Sequence, residues 1–410
     1  MRTSAASLPG IVLLILLCVA GRSRGAAPAC LWDDDALRAE IRGMEGTLAA
    51  LTGRFDRFPA EYYEARIRIA ESRLGADPGD LSAYDNAGVA CDRLGRTDEA
   101  MEWMVRKRAA LDASGIPDAE HEYRYLANLG TFYAHRWIRS GADRAGLGDL
   151  IEAERLISAA IELNPDAHFG RERYQLLAIR ALIDPPNPEA GFFSEAVPTI
   201  FEIDPAVRGH QRWGWWDARV LESTGYADAI EGLVGLIVLG NAWQSYDIHH
   251  SLAAALHDAG YGQLAMVAEI RMNEIADEGG RSLLRPDQAP LVVSQRWGET
   301  ARTGPEYERE VREWFDAACT EAKAWSQSRN DYVLARLARG EHPDTHTGFW
   351  DAWTSPSEPP LAPNGFFGRA GNAAAILKFQ VVGIASLIAI AGGVIVFVRL
   401  RLRTHRARLA

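Results

Sequence analysis

The chain has little cysteine and almost no lysine. Four cysteines stand among 410 residues, with no two in a C-x-x-C arrangement. That excludes a zinc ribbon, a haem attachment site and a thioredoxin-like redox motif. Cys18 lies in the apolar leader. Cys30, Cys91 and Cys319 are odd in number and far apart, so packing rather than a disulfide framework must carry stability. Lys107, Lys323 and Lys378 are the only lysines among 44 basic residues. With so much alanine and glycine, this reads as a GC-rich genome and not as chemistry. Also absent are G-x-S-x-G, H-E-x-x-H, a phosphate-binding glycine loop and G-x-G-x-x-G before a strand, so no hydrolase or nucleotide-binding signature is visible.

Positive charge is scarce as well. The net charge is -11. Nine arginines and lysines lie in the two ends: Arg2, Arg22, Arg24, Lys378, Arg399, Arg401, Arg403, Arg406 and Arg408. Without them the middle carries about -20 by formal count, which repels phosphate and makes nucleic acid a poor partner.

Long apolar runs are confined to those same ends. Arg2 followed by the ten residues Ile11–Ala20 reads as a secretory signal, too short to span a bilayer. Small residues at Cys18 and Ala20, or at Ala27 and Ala29, fit cleavage, and we take 1–29 as the signal peptide. Cleavage before Cys30 would make a lipoprotein, but AAPAC lacks the leucine of a lipobox. Val381–Val398 is an apolar run of 18, reaching 23 if extended back to Ile376. That is about 35 Å of helix, enough to cross a membrane. Five arginines follow within twelve residues and place the tail in the cytoplasm. The body is therefore expected outside the cytoplasm on a single C-terminal transmembrane helix. The run also resembles a sorting signal that could be processed off.

Between the ends the pattern is helical. Tyr84, Ala87, Gly88 and Cys91 sit on one helix, Gly95 closes it, and Ala100 and Met104 follow on a second. Leu126, Leu129, Gly130 and Tyr133, then Ala153, Ile157, Ala160 and Pro165, repeat the arrangement with an eleven-residue insertion between the two helices. These stretches resemble the tetratricopeptide repeat family, in which small residues mark close helix crossings. Fainter copies run through 61–80, 225–240 and 246–275. The resemblance implies an all-α fold, an α-solenoid of helical hairpins over 30–280. A stripe of Tyr307, Val311, Trp314, Phe315, Ala318, Ala322 and Trp325 predicts a C-terminal helical cap within 281–353. A Pro-rich linker (354–372), the membrane helix (373–398) and a basic tail (399–410) complete the chain.

In arrays of this family one face of each first helix lines a concave groove. Here that face carries Ser82, Asp85, Val89 and Asp92; then Arg124, Ala127, Thr131 and Ala134, with His135 adjacent; then Asp247, His250, Ala254 and His257. The resemblance implies that Asp85, Asp92, Arg124, His250 and His257 are exposed there to a protein or peptide of the cell envelope, while Tyr84, Gly88, Leu126 and Gly130 are buried. No cofactor and no metal are expected. His250 and His257 are about 10.5 Å apart along a helix, too far for one zinc. His249 falls on the packing face, and His342–His346 brackets a proline. The reading is a binding scaffold, not an enzyme. The alternative is an envelope enzyme with a site near Trp213–His257; Trp213, Trp215 and Trp216 could form an aromatic cage or sugar platform there, although a buried anchor between array segments is the favoured reading of these three.

Overall fold

The computed structural model describes residues 46–165, 171–186, 199–201, 221, 224–259, 261–287 and 305–361. These residues form eleven α-helices and no strand, so the protein is all-α. The helices are α1 (Thr47–Thr52), α2 (Ala60–Ala76), α3 (Leu81–Arg93), α4 (Thr97–Ser114), α5 (Ala119–Arg139) and α6 (Gly148–Leu163). After them come α7 (Arg171–Ile183), α8 (Ala229–Val238), α9 (Tyr246–Asp258), α10 (Gly262–Asp277) and α11 (Pro305–Leu337). A 3₁₀ turn, Ala242–Gln244, precedes α9.

Local chemistry sets the boundaries. Asp80, Asp118 and Ser245 cap α3, α5 and α9, each accepting a hydrogen bond from a backbone N–H of the first turn. Gly95, at φ +79°, turns the chain from α3 into α4 in the left-handed region that glycine enters without cost. From α2 to α7 each helix packs on the next in chain order, as do α8, α9 and α10.

The crossing residues explain the tightest of these contacts. A Cβ on Gly130 would stand 2.9 Å from Cδ1 and Cγ1 of Ile157 and 3.1 Å from Cβ of Leu156. On Gly88 it would meet the mobile Cε of Met104 at 2.9 Å. The two glycines should therefore respond differently. Gly88→Ala is expected to be close to neutral, because a methionine end moves aside and alanine favours the helix. Gly130→Ala should lower the melting temperature, and Gly130→Leu should cost about 1–3 kcal/mol or more by overpacking. Equal melting of both alanine variants would mean that the Gly130 crossing has room to spare.

The insertion in the second hairpin is divided between helix and loop. Beyond its signature glycine α5 carries four more residues than α3, the connecting loop is five residues longer, and α6 gains two before Ala153. Trp137 Nε1 donates to the Asp143 carbonyl at 3.1 Å and holds that loop down.

The predicted stripe on α11 is buried at Val311, Trp314, Phe315, Ala318, Ala322 and Trp325. The helix lies on α10 and also on α1 and α2. Three ion pairs fasten the contact with the N-terminal segment: Arg54–Glu321 at 3.0 Å, Arg66–Asp344 at 2.8 Å, and Arg329–Asp56. Arg66 and Asp344 are fully enclosed, with the Tyr62 ring stacked on His342. Arg329 lies over the Trp350 ring, 3.7 Å from its centroid. No described helix is long and apolar enough to cross a membrane. The expected signal peptide, the apolar run from Ile376 and the arginines after it lie outside the described residues.

Candidate functional site

The first helices of the hairpins turn their polar faces toward one another. α3 packs on α5 as well as on α4, so side chains at its groove positions meet neighbouring helices instead of solvent. Asp85 is 1% exposed. It accepts hydrogen bonds from Lys107 Nζ on α4 at 2.7 and 2.8 Å and from Asn128 Nδ2 on α5 at 3.0 Å, and His121 lies 3.6 Å away. Burial pushes the Lys107 ammonium down from the usual lysine range, against the pull of Asp85.

Two helical turns further, Asp92 is fully buried. His135 Nδ1 lies 2.8 Å from its Oδ2, Arg139 Nη1 bonds its other oxygen, and Arg139 Nη2 donates to its carbonyl at 2.8 Å. Burial would raise the Asp92 carboxyl, but His135 and Arg139 outweigh it and hold the group down to about 2. Thr131 accepts from Gln175 Nε2 of α7 at 2.9 Å and continues the series.

The exposed groove expected from the sequence is thus corrected at four of its five residues. Asp85, Asp92, Arg124 and His250 are buried; His257 alone is half-exposed. Arg124 pairs with Glu120 one turn back on its own helix. Tyr84, Gly88 and Gly130 are buried as expected, whereas Leu126 is only half-buried. The physical reason is charge complementarity. Each inward carboxylate has a cation or an amide opposite it, so desolvation is offset by pairing and the helices close together.

Lys107 was missed by sequence reasoning, yet it left a signal. It stands in the buried stripe Ala100, Met104, Lys107, Leu111, and a cation in such a stripe demands a buried anion. The same signal marks Arg66 between Tyr62 and Ala70.

His249 is a core residue, as expected, and burial lowers its pKa to about 4. His342 stacks on Tyr62 and accepts from the Asp344 N–H at 3.1 Å. Among the described residues no group of three or more His, Cys, Asp or Glu side chains could hold a metal ion. Trp213, Trp215 and Trp216 lie outside the described residues. Comparison with protein-family models, with curated proteins and with solved structures returns no match.

Proposed function

We propose that this chain is a membrane-anchored, extracytoplasmic scaffold, an α-solenoid of tetratricopeptide-like hairpins that holds another protein or peptide of the cell envelope. The observation that supports it most is register: Gly88 and Gly130 fall at close helix crossings in two successive hairpins, at the positions the repeat signature requires. Stacked hairpins provide extended surface for binding. Because the inner polar faces are taken up by internal pairs, the partner is assigned to the outer surface. There Val105 on α4 and Ile151 on α6 are 67% and 57% exposed. The apolar run from Ile376 supplies the anchor, and the arginines after it keep the tail in the cytoplasm. Among the described residues no observation favours the enzymatic alternative near Trp213–His257: Asp247 and His250 are buried there.

The test is a membrane-impermeant crosslinker added to intact spheroplasts that carry the tagged full-length chain, followed by detergent extraction. One recurrent partner should be recovered. Its yield should fall several-fold in the Val105→Glu, Ile151→Glu double variant while the melting temperature holds. Absence of any crosslink to the body would sink the topology. Undiminished capture by the double variant would remove the outer surface as the site.

A further inference from the structure

A second constellation lies where the N-terminal segment meets the 3₁₀ turn before α9. Gly53, at φ +80°, ends α1. A Cβ there would stand 3.0 Å from Cη2 and Cζ2 of Trp243 and 3.1 Å from Nη2 of Arg57, so only glycine lets the backbone lie this close to the indole. The exposed Arg57 rests over that indole, 4.9 Å from the ring centroid, and over Phe55 at 5.3 Å. Arg271, from α10, lies over the same indole at 4.1 Å. The His249 ring is 6.0 Å away. Three side chains that can carry positive charge therefore gather on one tryptophan.

Their compensation is incomplete. Arg271 Nη1 meets Glu274 at 2.9 Å and Glu278 at 3.8 Å, but its Nε has no hydrogen-bond partner among the described residues although the side chain is only 6% exposed. Arg57 donates to the Gly53 carbonyl at 3.2 Å and forms no ion pair among the described residues. The Arg57 side chain is exposed at the surface, but desolvation of its guanidinium and then the charge of Arg271 lower its pKa; His249 is lowered by burial first and by Arg271 in smaller part. The positive charge of Arg271 is thus felt by both neighbours in spite of its two glutamates. A buried guanidinium N–H without an acceptor is costly, and an anion would relieve it.

We propose that Arg57 and Arg271, gathered on Trp243, form a binding site for a carboxylate anion. Arginine suits the role because its planar fork matches a carboxylate and stacks on an aromatic face at the same time. The exposed Arg57 provides entry, and the buried Arg271 Nε provides a donor in a site of low dielectric, where a charge-assisted hydrogen bond is strong. The site needs neither the scaffold reading nor the membrane topology.

Titration calorimetry of the full-length chain in detergent, with triglutamate as probe and inorganic phosphate in a parallel arm, tests the proposal. Triglutamate should bind at millimolar affinity, more weakly as salt rises. Arg57→Gln should weaken it about tenfold or more, the loss of one charge-assisted contact. Arg57 is exposed, so this variant should melt like the parent. Gly53→Ala, which crowds the indole, should weaken binding as well. Undetectable triglutamate binding, or equal binding by the parent and by Arg57→Gln, would overturn the site. Phosphate binding that displaces triglutamate and is itself lost in Arg57→Gln would overturn its assignment to carboxylates.

Discussion

Replacing Lys107 by methionine should destabilise the protein by about 3–5 kcal/mol, the cost of leaving a buried charge without its partner. Methionine keeps the length and the apolar stem but removes the ammonium that gives Asp85 two hydrogen bonds. Asn128 then remains as a single neutral donor to a carboxylate that is 1% exposed. Asp85→Leu should cost a similar amount, because it strands the Lys107 charge instead. The double variant should recover most of the loss, since a buried ion pair exchanged for apolar residues of similar volume is often neutral or better. A double-mutant cycle by chemical denaturation isolates the coupling. Losses below about 1 kcal/mol for both single variants would place the pair in contact with water and contradict its burial.

A second large effect is hidden in the parent protein. Asp247 on α9 accepts from Ser282 Oγ at 2.5 Å and from the Leu283 N–H at 2.7 Å, but has no cation beside it among the described residues, and burial raises its pKa to about 6. His249, two residues on, donates from Nδ1 to the Ser245 carbonyl, faces Trp243 and Arg271, and is pushed down to about 4 by burial. The signs oppose. The folded state binds the Asp247 proton more tightly than the unfolded chain does, so that group adds stability as pH falls from about 6 to 3.8. It binds the His249 proton less tightly, so that group removes stability as pH falls from 6.5 to about 4. Each shift corresponds to about 3 kcal/mol. Their sum should leave stability almost flat across this window. Asp92, held down to about 2, acts only below it. Asp247→Asn should expose the histidine's effect, a loss of about 3 kcal/mol between pH 7 and 4, while His249→Gln should gain a similar amount over that range. Denaturation midpoints at several pH values check both. Parallel profiles for the two variants would refute the opposition.

The sequence made the helices and their crossings legible because both are local. The spacing from Gly88 to Ala100 and the stripe from Val311 to Trp325 each repeat at the helical period, and burial follows it. The polar faces were legible as faces but not as partners. Asp85 and Asp92 have the spacing of a solvated groove, and nothing within a turn or two of them shows that Lys107 and His135 will meet them from other helices. Arg66 and Asp344 are 278 residues apart, and Arg329 and Asp56 are 273 apart. Periodicity tells which side of a helix is inward. The identity of what waits there is set by tertiary packing, which a single local pattern does not encode.

Those two distant pairs also constrain the order in which the protein can come into being. A chain made from its N-terminus has α2, with Arg66 among its packing residues, long before Asp344 exists. Domains made early fold early, but contacts between distant residues must first meet the entropy of closing the intervening chain. The seam between the start and the end of the body is therefore the last part to close. Until synthesis passes residue 344, the growing protein carries at its leading edge a cation whose partner has not yet been made.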